Sequence, residues 1–165
     1  MIYIKDNSLS EEDIQKLLVF TTHPPKIWDQ TYTVNIDPNQ HIVQKVKQHV
    51  LNDLSTEGHQ KKFDEVDWSQ VVSYPTGSSK GFHIDDASKE TTGTSVTFLN
   101  DDIIGGEAVI EGVEITPIKG RTYYFDGRIY KHAVLNVIKG TRLTLSTWYT
   151  NEELKYLNKE RFPNG

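Results

Sequence analysis

Four residues carry the chemistry of this chain. His83 and Asp85 stand two positions apart, His132 lies far downstream, and Arg142 follows ten residues later. Two imidazoles and one carboxylate are the ligand set that holds a non-haem Fe(II) on one face and leaves its other positions open. A guanidinium beyond the last histidine is suited to clamp the carboxylate of an oxo-acid through two parallel hydrogen bonds. Together the four residues point to an iron site that uses O2 with 2-oxoglutarate. Three protein ligands leave roughly three positions on an octahedral ion. The keto and C1 carboxylate oxygens of 2-oxoglutarate take two of these and O2 takes the last. The far carboxylate then needs a cation. Arg142 supplies it, and Tyr74, nine residues before His83, adds a phenol hydrogen bond.

Convergence requires strands. Residues 80–85 read as one, so His83 and Asp85 share a face about 6–7 Å apart at the backbone, with Ile84 turned the other way into the core. His132 opens a strand distant in sequence, which a double-sheet roll can bring alongside. Taken singly, the His-x-Asp pair reads equally as a solvated pair, Arg142 as a surface arginine and Tyr74 as a core aromatic. Their joint order and strand context favour the site. His23, His41, His49 and His59 lack such companions and read as solvated side chains.

Composition narrows the alternatives. The 165 residues fit one domain, and the formal net charge of −5 without a basic block argues against nucleic-acid binding. With no cysteine, thiol nucleophiles, zinc–cysteine sites and iron–sulfur clusters are excluded, so any metal is held by His, Asp or Glu. The polar start Met1–Ser10 is not a secretory signal, and no apolar run is long enough to span a membrane. A soluble cytoplasmic protein is the expectation.

Residues 1–5 alternate as a short edge strand. Ser10 to Asp13 form a capping box ahead of Ile14, Leu17, Leu18 and Thr21 at helical spacing, and His23-Pro24-Pro25 stops that helix. Trp28 to Ile36 lean to β structure. Asp37 as N-cap and Pro38 at the first helical position predict a helix over 38–54, its stripe made by Ile42, Val43, Val46, Val50, Leu51 and Leu54. From 67 onward eight short strands are expected, at 67–74, 80–85, 93–100, 107–111, 113–117, 121–126, 132–138 and 141–149, separated by Gly and Pro. A terminal helix is expected over 151–160. The fold class is mainly β with supporting helices, a jelly roll in one domain. A helical support region spans 1–62 and the core spans 66–150.

The stretch from about 71 to 150 resembles the prolyl 4-hydroxylase-like 2-oxoglutarate/Fe(II) dioxygenases. The resemblance is carried by Tyr74-Pro75-Thr76-Gly77 with Gly81-Phe82-His83-Ile84-Asp85, by Phe98-Leu99-Asn100 and Gly105-Gly106-Glu107, by Pro117 to Arg121 with Phe125, and by His132-Ala133-Val134, Lys139 to Arg142 and Trp148-Tyr149. It implies a double-stranded β-helix, Fe(II) held by His83, Asp85 and His132, and 2-oxoglutarate held by Arg142 and Tyr74 with Trp148 nearby. It also implies O2 as cosubstrate, ascorbate binding, and hydroxylation of a prolyl residue in a peptide or protein. Phe98 stands where some relatives place a tyrosine that bonds the cosubstrate, so that contact is expected to be missing. Ala108 replaces a common threonine.

The segment 86–94 is short, which implies an open entrance, and Arg128 and Tyr130 are the candidate substrate contacts. Hydroxylation of a free amino acid or other small metabolite stays open as a second reading. Nucleic-acid demethylation and a non-catalytic β-roll binding module are less favoured.

Overall fold

Along residues 142–150, side chains alternate between two environments. Leu145 and Tyr149 turn toward the helices, while Arg142, Thr144, Ser146 and Trp148 turn toward the interior of the roll. This period of two, natural to a strand, repeats on its neighbours and sorts the hydrophobic core from the site. The computed structural model describes residues 2–22, 26–28, 30–56, 65–85 and 93–150. The predicted proline stop at 23–25, His59, most of the short segment 86–94 and the terminal helix 151–160 lie outside the described residues.

The elements run β1 (Ile2–Lys5), α1 (Glu11–Leu18), a 3-10 turn (Val19–Thr22), β2 (Lys26–Trp28), β3 (Thr31–Ile36) and α2 (His41–Thr56). They continue as β4 (Glu65–Tyr74), β5 (Lys80–His83), β6 (Gly93–Phe98), β7 (Ile104–Gly105), β8 (Ala108–Ile110) and β9 (Val113–Ile115). The last are β10 (Thr122–Phe125), β11 (His132–Val134), β12 (Val137–Lys139) and β13 (Arg142–Thr150). A large sheet has the order β1-β10-β6-β13-β4-β3-β2, a smaller one β5-β11-β8-β9, and β12 pairs with β7. The described pairings are antiparallel, and the two larger sheets form the jelly-roll core.

Two apolar clusters hold the roll. On the outer face of the large sheet, Ile14 and Leu17 of α1 and Ile42, Val43, Val46 and Val50 of α2 pack against Ile36, Val71, Leu145 and Tyr149. Inside, Val96, Phe98, Tyr123 and Phe125 meet Ala108, Ile110 and Ile115 of the smaller sheet. Each large apolar side chain buried this way contributes about 1.5–3 kcal/mol. At the start of α1 the Asp13 N–H donates to Ser10 Oγ at 3.1 Å, the expected cap.

Three sequence expectations need correction. Asp37 does not cap a helix. Its Oδ1 accepts the Asn39 N–H at 2.8 Å and its carbonyl accepts the Gln40 N–H at 2.9 Å. That turn, favoured by Asp, delays α2 until His41. The predicted strand 132–138 is two strands. After Val134 the chain turns away from the small sheet, Leu135 N–H bonding Glu107 O at 2.9 Å, and β12 then pairs with β7 instead. Finally, the front third is more than helical support, because β1 lies against β10 and β3 against β4 in the main sheet.

Candidate metal centre and anion pocket

The smaller sheet sets His132 directly opposite His83, through the pairing of β11 with β5. The two rings lie 4.2 Å apart at their centroids. Asp85 stands just past the end of β5, not within it as the sequence suggested, because its N–H leaves the ladder and donates to Gly127 O at 2.8 Å. Ile84 is likewise not in the core but 42 % exposed. The convergence survives both corrections: one ligand atom from each of His83, Asp85 and His132 lies within 4.8 Å of the others.

The backbone determines which nitrogen each ring presents. His83 Nδ1 is 2.8 Å from Gly81 O, and His132 Nδ1 is 2.9 Å from Tyr130 O. A carbonyl oxygen only accepts, so each Nδ1 carries the proton and each neutral ring has its lone pair at Nε2. Those Nε2 atoms face one carboxylate oxygen, Asp85 Oδ1, at 3.6 Å from His83 and 3.2 Å from His132. Two lone pairs and an anion that close call for a cation between them. Burial pushes the His83 pKa down, as does the neighbouring His132, which favours the neutral, ligating ring. With no cation there, a proton on the Nε2 atoms fills the same gap: burial alone would raise the Asp85 pKa, but the hydrogen bond from a protonated His132, the charge on the imidazoles and the Thr94 hydroxyl outweigh it and hold the carboxyl below its usual range.

Asp85 is oriented from three more directions. Thr94 Oγ1 donates to its Oδ2 at 3.2 Å, and Trp148 Nε1 donates to the same oxygen at 3.4 Å. Trp148 is itself stacked on Trp68, centroids 4.7 Å apart. Gly127 presses from the remaining side, where a Cβ would run into the Asp85 carboxylate. In the sequence Gly127 marks only a break between strands, and Thr94 carries no signal of this role. Nothing in a lone glycine reports which side chain approaches it.

The cavity in front of these ligands has a volume of about 140 Å³, lined by His83, Asp85 and His132 at one end and Arg142, Tyr74 and Tyr123 at the other. That is room for several water molecules or a small organic acid. Arg142 is 2 % exposed. Its Nε donates to Gly106 O at 2.8 Å and its Nη2 to Tyr123 OH at 3.3 Å, both neutral acceptors. Its guanidinium carbon sits 5.2 Å from the Tyr74 ring and 5.0 Å from the Phe98 ring. Gly106 makes room for it, since a Cβ there would stand 3.1 Å from Arg142 Cδ. Among the described residues no carboxylate bonds Arg142, and a buried cation in that position is costly and is best satisfied by an anion from outside.

Tyr74 lies directly opposite Arg142 in the pairing of β4 with β13, and Trp148 lines the same cavity beside the metal-facing end. Arg128 and Tyr130 do not line it. Arg128 sits exposed in the turn after β10, and Tyr130 packs part-buried against the interior cluster. Lys80, Thr31 and Thr33, which the sequence did not single out, line the cavity instead.

Residues 69–150 match the model of the 2OG-Fe(II) oxygenase superfamily. No curated protein sequence matches the chain. Among solved structures, the viral collagen prolyl hydroxylase of Paramecium bursaria Chlorella virus-1, in complex with 2OG, is similar at 20 % identity and TM-score 0.71, over 91 % of this chain and 95 % of that one. A prolyl-4-hydroxylase of Pseudomonas putida is similar at 18 % identity and TM-score 0.70, with 92 % of each chain covered. A prolyl hydroxylase of Trichoplax adhaerens, in complex with a hypoxia inducible factor peptide fragment, is similar at 18 % identity and TM-score 0.69, over 94 % of this chain and 86 % of that one. The chain belongs to the 2-oxoglutarate/Fe(II) oxygenase superfamily, and its fold is that of the prolyl 4-hydroxylase-like members.

Proposed function

We propose that this protein is an Fe(II)- and 2-oxoglutarate-dependent dioxygenase that hydroxylates a prolyl residue in a peptide or protein, a prolyl 4-hydroxylase activity of the procollagen-proline type. The observation that carries the reading is the pair of Nε2 lone pairs aimed at Asp85 Oδ1, with a buried, anion-seeking Arg142 at the far end of the same cavity. The donor set suits Fe(II), being two nitrogens and a carboxylate on one face. His83, Asp85 and His132 would hold the ion. Bound there, Fe(II) supplies the open positions at which 2-oxoglutarate and O2 meet and the redox chemistry that hydroxylates an unactivated C–H, with succinate and CO2 as the other products.

The chain's own residues do the rest. Gly81 and Tyr130 carbonyls keep the imidazoles in the ligating tautomer. Gly127, Thr94 and Trp148 keep the carboxylate turned inward. Arg142, assisted by Tyr74, would receive the far carboxylate of 2-oxoglutarate. Among the described residues Gly106 and Tyr123 engage Nε and one Nη2 hydrogen, which directs an incoming anion to Nη1 and the remaining Nη2 hydrogen. The apolar walls, Val96, Phe125 and Val134, exclude water from the reacting end. Prolyl specificity rests on the prolyl hydroxylases among the similar folds, one of them holding a peptide. Arg128 and Tyr130, lying outside the cavity, would meet only a substrate that extends past its mouth, as a peptide does. Ascorbate dependence belongs to the same reading.

The test is incubation with Fe(II), 2-oxoglutarate, O2 and ascorbate against a panel of proline-containing peptides and free amino acids. Succinate formation with a +16 Da product on a prolyl peptide supports the proposal. Product on free amino acids alone moves the substrate to a small metabolite, and no succinate under any condition overturns the enzyme assignment.

A further inference from the structure

Tyr123 enters the proposed function only as an acceptor for Arg142, yet it is placed as a binding residue. Its hydroxyl is buried in the cavity wall, 3 % of the residue being exposed. It lies 3.3 Å from Arg142 Nη2, and that bond runs from the guanidinium to the phenol oxygen. An arginine nitrogen only donates, so the hydroxyl acts there as acceptor and its own proton is directed to a third atom. Tyr123 reaches this point from β10, two strands from Arg142, because β6 lies between β10 and β13. Phe98 of β6 fills the gap, its ring 5.6 Å from that of Tyr123 and its face toward the guanidinium, but it brings no polar atom.

We propose that Tyr123 is a further anion donor of the cosubstrate pocket beside Arg142 and Tyr74, its phenol O–H hydrogen-bonding the same far carboxylate that Arg142 receives. This rests on the 2-oxoglutarate reading and deepens it. Phe98 leaves the pocket without a hydroxyl on β6, and Tyr123 restores one from the adjacent strand. Arg142 supplies charge, and Tyr123 supplies direction. Because the phenol accepts from one cation while donating to the anion, the two bonds polarise each other. Burial holds the phenol above its ordinary titration range, against the pull of Arg142, so it keeps its proton at neutral pH. The consequence is selectivity for a dicarboxylic oxo-acid over a monocarboxylic one beyond what the arginine alone confers.

The experiment is equilibrium binding, without turnover, to the full chain loaded with Mn(II) in place of iron. Wild type and Tyr123→Phe are compared with two probes. One is 2-oxoglutarate, and the other is oxalate, which chelates a metal through two oxygens and has nothing to reach Tyr123. The expected result is an approximately tenfold weaker Kd for 2-oxoglutarate in Tyr123→Phe, as for loss of a hydrogen bond to a charged group, with the Kd for oxalate unchanged. An unchanged Kd for 2-oxoglutarate in the variant overturns the proposal, and so does equal weakening of both probes, which would mark a disturbed metal end. Failure of the wild-type protein to bind 2-oxoglutarate at all overturns the parent reading and this one with it.

Discussion

Gly127→Ala isolates the role of the carboxylate ligand without touching a ligand. The Gly127 backbone is not in the left-handed region, so alanine is conformationally acceptable there. The added methyl would stand 3.0 Å from Asp85 Cγ and 3.0 Å from Thr94 Oγ1, and closer still to Asp85 Oδ2. Carbon atoms pack at about 3.5–4.0 Å, so the carboxylate must retreat by roughly 0.5–1 Å. It can do so cheaply, being the far end of a side chain, and the fold therefore survives. The metal does not tolerate the move, because ligand distances are held to about ±0.2 Å. Losing that orientation should weaken metal affinity about 10- to 100-fold, or ~1.4–2.7 kcal/mol. Calorimetric titration with Mn(II) or Co(II) measures it, and circular dichroism checks the fold. A well-folded Gly127→Ala with wild-type metal affinity would refute the claim that Gly127 holds Asp85 in place.

His83→Ala should abolish succinate formation while leaving the far-ultraviolet spectrum unchanged; turnover retained by that variant would mean the ligand set is wrong. Arg142→Met should remove the rise in melting temperature that 2-oxoglutarate confers, about 2.7 kcal/mol at a hundredfold excess over Kd. It should move the unliganded midpoint by only a few degrees, since removing a buried charge offsets the two lost hydrogen bonds, and differential scanning fluorimetry reads both. Metal affinity should be full above the ordinary histidine value of 6.5 and fall as pH drops through the lowered pKa of His83, because proton and cation compete for one lone pair. Titrations between pH 5 and 8 test this, and affinity that rises on acidification would contradict it.

The gathering of His83, Asp85 and His132 was legible from residue type and order, a His-x-Asp pair and a distant strand histidine that a roll brings alongside, although Asp85 stands past the strand end rather than within it. Arg142 was legible as a cation on the closing strand, and Tyr74 as its neighbour. What surrounds them was not. Gly81 and Tyr130 act through carbonyls, which every residue has, so no side chain announces that they select the tautomer. Tyr123 sits on a strand with Tyr124, and only the register decides that one faces the cavity and the other the helices. Asp37-Pro38 misled for a local reason, since the same aspartate that caps helices also closes turns. The break between Val134 and Val137 was hidden because the residues on both sides are β formers, and the switch of sheets there is a tertiary event.

The flanking strands bear on how the protein can be handled in the laboratory. β1 forms one margin of the large sheet, while β3, with β2 outside it, flanks the other side, and β1 and β3 are each zipped to the segment that matches the family. A fragment trimmed to residues 69–150 would expose β10 and β4 as raw, unpaired borders and would strip the helices from the apolar side of the sheet. Such borders invite strand addition by other copies, so the trimmed fragment should aggregate, and expression work should keep the front third attached.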